Sequence, residues 1–298
     1  MSAQSQSVRW QHLAVDDVVI EFTERGRGDL IFLVHAGVFS DWFRFVGESH
    51  HLDRFRVVRL RRAGYGQIQP TRHLPLADHG RHAAALAEHL CDGERIHWVG
   101  HSSSCQIGLE LAVERPMLVG SLTLLEPAAA GAFQVPASAA LAPLLDPVMA
   151  AFQSGDVTKA FDSFMRGVCG EGYREIIEAR LGTSGLEQAI RESAFFFRDE
   201  IRAVLESPFG PVEAAKIRQP VLCIEGGAQP PHLASMSRQI SERTVALLPQ
   251  AEVMIIPGVN HALPLQDPEA VAKAVASFVD ARSERSLAAG GDAEPGKP

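Results

Sequence analysis

The sequence predicts an α/β fold: a mostly parallel sheet flanked by helices, with a helical insertion between two of its strands. Short, nearly all-apolar runs alternate with segments of helical spacing along most of the chain. That alternation stops between about Ala128 and Ala214, where the text is helical, rich in phenylalanine and without a strand-like run. It then resumes in the same style. The 298 residues, 46% hydrophobic and 21% charged, suffice to bury a core without disulfide or metal staples.

Taken in order, "VVIEFTERG" and "DLIFLVHAG" read as strands separated by the turn cluster Gly26-Arg27-Gly28-Asp29. The second is apolar throughout, as a parallel strand covered on both faces requires. "RFRVVRLRRAGYG" reads as a strand running into a glycine-rich loop. "DHGRHAAALAEHL" places Ala83, Leu86, Ala87 and Leu90 on one helical face. "RIHWVGH" is the next strand, "SCQIGLELAVERP" a helix stopped by Pro116, and "VGSLTLLEP" a further strand. Beyond the insertion come strand "QPVLCIEGGA", helix "HLASMSRQISERTVALLP", strand "AEVMIIPG" and helix "DPEAVAKAVASFVDARSE". This divides the chain into a core, 1–127 and 215–282, a helical cap, 128–214, and a Gly/Ala/Pro-rich tail, 283–298, expected to be disordered.

Several function classes are disfavoured. A net charge of −8 argues against a nucleic-acid partner, and the one basic cluster, "RVVRLRRAG", has strand-like apolar positions inside it. Cys91, Cys105, Cys169 and Cys223 form no C-x-x-C pair and read as free thiols of a reducing compartment. The opening "MSAQSQSVRW" has no apolar signal-like run, and no stretch is long enough to span a bilayer. The expectation is a cytoplasmic protein without a membrane partner, with the choice between monomer and homo-oligomer left open. No phosphate-binding glycine loop, dinucleotide fingerprint or metal-ligand cluster is legible, so neither cofactor nor metal is expected.

Chemistry enters at "WVGHSSSCQIGLEL", where a strand meets a helix across three serines. Three serines there also suit a polar helix cap. A nucleophile elbow instead needs one strained central residue with small residues two positions away on each side. Gly100 and Ser104 supply them around Ser102. The usual pattern is G-x-S-x-G; here Ser104 stands where the second glycine is common. In "MIIPGVNHALPLQDPEAVAKAVASFV", His261 follows the last strand, in a loop from which an imidazole can reach the sheet edge and serve a serine as general base. The nucleophile first and the histidine last, on opposite sides of the insertion, is an order found in one enzyme architecture.

With "FLVHAGVFSDW", "RRAGYG", "WVGHSSS" and "PGVNHALPLQDPEAVA", the chain resembles the α/β-hydrolase superfamily over nearly all of residues 8–282. The resemblance implies an eight-stranded α/β-hydrolase sheet with a helical cap. It also implies an oxyanion hole made by the amides of Ser103 and Gly37, with Val38 the second choice after Gly37. Many relatives carry the triad aspartate after the seventh strand, where this chain has Gln229, a neutral amide. Glu126, at the carboxyl end of the strand beside the elbow strand, is the favoured acid, and Glu225 the alternative. Among the superfamily, serine lactonases of the zearalenone type resemble this chain in joining a serine nucleophile to a glutamate after that strand. His35 is read as ordering its loop. Arg61 stands where the family's loop often has aspartate; Arg61 and Arg62 are read as structural, with contact to an anionic substrate as the alternative. Phe152, Phe161, Phe164 and Phe195–Phe197 are expected to fill the cap and, in a few cases, to line an apolar pocket.

The expected function is serine hydrolysis of a hydrophobic carboxylic ester, above all a lactone, by Ser102, His261 and Glu126. The alternatives are hydrolysis of a carbon–carbon bond in a ring-cleavage product, and a non-catalytic ligand-binding protein on the same scaffold.

Overall fold

The computed structural model describes residues 9–91, 93–128, 133–136, 139 and 141–290, with the side chains of the last helix described as far as Arg282. Its centre is an eight-stranded sheet of β1 (Gln11–Val15), β2 (Val18–Arg25), β3 (Leu30–Val34), β4 (Arg56–Arg61), β5 (Ile96–His101), β6 (Val119–Leu125), β7 (Val221–Gly226) and β8 (Ala251–Ile256), in the order β1-β2-β4-β3-β5-β6-β7-β8. β2 runs antiparallel to both β1 and β4; every other pair is parallel. β1 lacks the apolar pattern that marks the other strands, because most of its residues are solvent-exposed and it is held mainly by pairing with β2 across a tight turn at Asp16, φ 50°.

The side-chain period of two splits the core into two layers. Phe32, Val34, Val58, Leu60, Trp98, Leu122 and Leu124 face one side, packed with Ala83 and Leu86 of α2 (Leu76–Leu90) and Ile107 and Leu111 of α3 (Ser103–Glu114). Ile31, Leu33, Val57, Val99, Leu125 and Ile224 face the other, against Val46 of α1 (Arg44–Glu48) and Val271 and Val275 of the C-terminal helix. Between β6 and β7 lie α4 (Leu141–Gln153), α5 (Val157–Cys169), α6 (Tyr173–Phe195, kinked at Gly182), a π-helical turn (Phe196–Glu200), α7 (Ile201–Glu206) and α8 (Pro211–Ala214). α9 (Ala234–Leu247), α10 (Leu263–Gln266) and α11 (Pro268–Gly290) complete the chain. The tail expected from 283 therefore begins within α11, and residues 291–298 lie outside the described ones. None of Cys91, Cys105, Cys169 and Cys223 forms a disulfide among the described residues. No helix among the described residues is long and apolar enough to cross a membrane.

The phenylalanines divide as their surroundings dictate. Phe161, Phe195 and Phe197 are buried, and Phe161 stacks edge-on against Tyr173 and Phe195 against Tyr65. Phe164 and Phe196, whose ring centroids are 5.0 Å apart, line the cavity described below.

Candidate active site

Four non-glycine residues among those described have positive φ, a conformation that costs energy and persists only where surrounding structure enforces it. Three of them lie beyond the carboxyl ends of parallel strands, Val38 in the loop after β3 and Ser102 and Glu126 directly after β5 and β6, and line the cavities found there.

Ser102 has φ 54° and ψ −117° and immediately precedes α3. Its amide donates to the carbonyl of Leu125 at 2.8 Å, tying the elbow to the neighbouring strand. The small flanking residues have separate reasons. A Cβ on Gly100 would lie 2.5 Å from the Ser104 carbonyl oxygen, a clash no relaxation of a flexible side chain removes. Ser104 is fully buried, and its hydroxyl donates to the carbonyl of His35, so the departure from glycine fastens the elbow to the loop after β3. The amide of Ser103, as the first residue of α3, has no partner within the helix and points to the anion-favouring end of the helix dipole. Gly37 and Val38 share a small cavity with Ser102 and His261. The Gly37 carbonyl accepts from Trp42 Nε1 and from the amide of Phe39, each at 3.0 Å. A Cβ on Gly37 would meet the Phe196 ring at 2.4 Å, so only glycine lets the insertion approach this loop so closely.

Glu126 is buried and has φ 49°. Its Oε1 accepts from the amide of Gly226 at 2.5 Å and from Gln229 Nε2 at 2.6 Å; its Oε2 stands 3.7 Å from His261 Nδ1. Gln229 also donates to the Gly226 carbonyl at 3.2 Å, which fixes its amide. The amide at the familiar aspartate position thus holds a carboxylate reached from the adjacent strand. Glu225 is half-buried and hydrogen-bonded to Ser241 of α9; burial, and then the Glu126 charge, push its carboxyl above the usual range.

The His261 loop is held from several sides, in contrast to the mobility a loop histidine suggests. The Asn260 amide donates to Gln266 Oε1 at 2.8 Å, Asn260 Nδ2 to the Cys169 carbonyl at 2.7 Å, and Asn260 Oδ1 accepts from the amide of Ala262 at 2.9 Å. His101, directly before the elbow serine, is a supporting residue that sequence reasoning passed over. Its Nε2 donates to the His261 carbonyl at 3.0 Å and its ring lies 4.8 Å from the His261 ring. Burial, and then the neighbouring His261, hold His101 well below the usual imidazole range, so it is neutral. Its place beside Ser102 in the sequence is the only signal that points to it.

A second cluster missed in the sequence is centred on Glu200, in the π-helical turn of the insertion. Its Oε1 accepts from Arg62 Nη2 at 2.9 Å and from Ser103 Oγ at 2.5 Å, and its Oε2 accepts from the Tyr65 hydroxyl. Arg62 and Glu200 are essentially inaccessible to solvent. Removing one partner of such a buried pair typically costs about 3–5 kcal/mol. Arg61 Nη1 pairs with Glu21 at 2.5 Å. Both guanidiniums therefore serve the protein's own carboxylates, in line with the structural reading and against the alternative of contact with an anionic substrate. His35 is buried and held well below the usual range by burial and then by Arg62. Its Nδ1 donates to the Ala36 carbonyl and its Nε2 accepts the Arg62 amide at 3.1 Å, which orders the loop as expected.

Ser102, Ser103, Glu126, Gln229, Ser237 and His261 give the polar lining of a cleft of about 900 Å³, counted to its open mouth. Leu144, Leu145, Phe164, Phe196, Leu233 and Met236 are among the apolar residues of its wall. A confined apolar wall over one small polar patch suits a hydrophobic molecule with a single reactive polar group.

The family model described as "Alpha/beta hydrolase family" matches residues 31–274. No curated protein sequence matches the chain. Among solved structures, a bacterial membrane phospholipase A described as a virulence factor is 22% identical, with 93% of this chain and 87% of that one covered and a TM-score of 0.72. Est816, described as an N-acyl homoserine lactone degrading enzyme, is 18% identical, with 90% and 100% covered and a TM-score of 0.68. The enol-lactonase of Burkholderia xenovorans LB400 is 14% identical, with 91% and 100% covered and a TM-score of 0.72. At these identities the likeness is one of fold.

Proposed function

The chain belongs to the alpha/beta hydrolase family, and from that premise we propose that it is a serine hydrolase that opens a hydrophobic carboxylic ester, foremost a lactone, with macrolactones of the zearalenone kind among the candidates. One observation carries the reading: Glu126, held by Gly226 and Gln229, presents its free oxygen to His261 at the wall of the cavity that Ser102 enters. The 3.7 Å separation is longer than a hydrogen bond, as is common before substrate binds.

In this mechanism Ser102 Oγ attacks the ester carbonyl as His261 Nε2 takes its proton. Glu126 faces Nδ1, sets the tautomer with hydrogen on that nitrogen and stabilises the imidazolium as it forms. The amides of Ser103 and Gly37 receive the oxyanion. His261 then returns the proton to the leaving alkoxide, which in a lactone stays attached as the far end of the acyl group. Water, deprotonated by the same imidazole, releases a hydroxy acid and regenerates Ser102. The Glu200–Ser103 and Ser104–His35 contacts keep both sides of the oxyanion site in place. Further support for the substrate class comes from the apolar cleft wall and from relatives of the same fold described as a phospholipase, a lactone-degrading enzyme and an enol-lactonase.

The test is turnover of small activated esters and of macrocyclic lactones, with fluorophosphonate labelling alongside. Ser102→Ala is expected to lose label and about 10⁴-fold or more in kcat. Equal activity in the variant removes the proposal. A wild-type protein that takes no label and turns over no ester supports the ligand-binding reading instead.

A further inference from the structure

We propose that His50, His51 and Glu269 form a surface site for a divalent transition-metal ion, with zinc the best match to its ligands. The two histidines sit in a 3₁₀ turn (His50–Leu52) between α1 and β4, and the glutamate in the first turn of α11. More than two hundred residues separate them along the chain, so no ligand spacing is legible in the sequence. In space His50 Nδ1 lies 3.4 Å and His51 Nε2 3.7 Å from Glu269 Oε2, and the ligand atoms of all three lie within 4.8 Å of one another.

A tetrahedral zinc ion with bonds of about 2.0–2.2 Å sets its ligands about 3.3–3.6 Å apart. Two of the three separations therefore need almost no adjustment, and the third closes by rotation of side chains that reach solvent. Two imidazoles with one carboxylate suit zinc, nickel or copper; calcium and magnesium take all-oxygen shells. Three protein ligands on an exposed surface leave the fourth position to water.

The elements that carry these side chains are already fixed. Leu52 is buried and shares a core cluster with Val271, Ala272 and Val275 of α11. Ser49 Oγ accepts from the His51 amide at 3.3 Å and donates to Glu269 Oε2 at 2.8 Å, the kind of outer hydrogen bond that orients a ligating carboxylate. Asp267 Oδ1 accepts the Ala270 amide at 2.9 Å and fixes the start of the helix. A bound ion clamps the turn before β4 onto the helix that follows the His261 loop. The alternative is a hydrogen-bonded surface cluster with no affinity for metal.

The experiment is titration of untagged, chelator-treated full chain with zinc chloride by calorimetry, and with cobalt(II) followed by visible absorption. One saturable ion per chain is expected, with the intense visible bands of tetrahedral cobalt. Affinity should fall more than tenfold in His51→Ala and in Glu269→Gln, and saturating zinc should raise Tm in the wild type but not in these variants. Absence of saturable binding, or binding unchanged in the double variant H50A/H51A, overturns the site. Both histidines and Glu269 reach solvent, so the variants keep the buried core and remain comparable with the wild type.

Discussion

The carboxyl ends of β6 and β7 lie side by side, each carries a glutamate, and the two carboxylates face different worlds. Leu125 pairs with Ile224, which brings Glu126 next to Glu225. Regular strand geometry would send the two side chains to the same face. Instead the backbone turns at Glu126, φ 49°, and carries that carboxylate towards His261 and the cavity, while Glu225 turns to Ser241 of α9. The comparison teaches that a carboxylate at the end of one strand can be held by donors of its neighbour. β7 does so twice, with the amide of Gly226 and the side chain of Gln229.

The largest effect that tests this contrast is at β6. Glu126→Gln should lower kcat about 10³–10⁴-fold with little change in KM, as loss of the orienting carboxylate does in other triads. A loss under tenfold, measured in steady-state kinetics beside Glu225→Gln, would hand the role to β7. Next comes Gln229→Glu, nearly isosteric with the native side chain. It replaces a 2.6 Å donor with a second carboxylate, so the pair shares a proton. Activity at neutral pH should drop about 10²-fold, and the acid limb of the kcat/KM profile should move to higher pH; an unmoved limb would mean that Glu126 does not govern His261.

A smaller effect is expected for Gln229→Ala, which deletes one hydrogen bond to a charged group. Such a bond is worth about 1.5–3 kcal/mol, so a loss of tenfold or somewhat more in kcat is expected, with unchanged circular dichroism. The smallest effect is at β7 itself. Glu225→Gln should leave kcat/KM within about twofold, because Glu225 hydrogen-bonds to Ser241, on the helix after β7. It should also alter stability in a definite direction. The folded-state pKa of Glu225 is raised above the ordinary 4.5, so the folded protein binds the extra proton and wild-type stability falls as pH rises from about 4.5 through the raised value. The variant should lack that fall, giving a flatter Tm-against-pH curve above pH 4.5. A steeper curve would show that the Glu225 charge is stabilised in the fold.

Much of this arrangement is legible in the chain because it is local. The elbow is read from Gly100, Ser102 and Ser104, since a strained turn imposes size limits on residues two positions away. The central parallel strands β3, β5, β6 and β7 are read from apolar runs, since burial on both faces leaves no polar alternation. β1 escapes for the converse reason: its residues are mostly exposed, and pairing with β2 needs no hydrophobic pattern. Gln229 reads as a defect while it is judged against its own strand, and as a support once β6 is placed beside it.

By itself the sequence determined the layered α/β core, the positions of Ser102 and His261, and the short candidate list for the acid. Periodicity, small-residue spacing and chain order are all properties of neighbours along the polymer. Only the tertiary structure decided which glutamate faces the imidazole, that His35 and Glu200 brace the elbow from separate elements, and that Arg62 is bound within the protein. Each of those outcomes is a contact of a few ångströms between groups some 70 to 140 positions apart or turned by a single backbone angle, and local pattern carries no information about either.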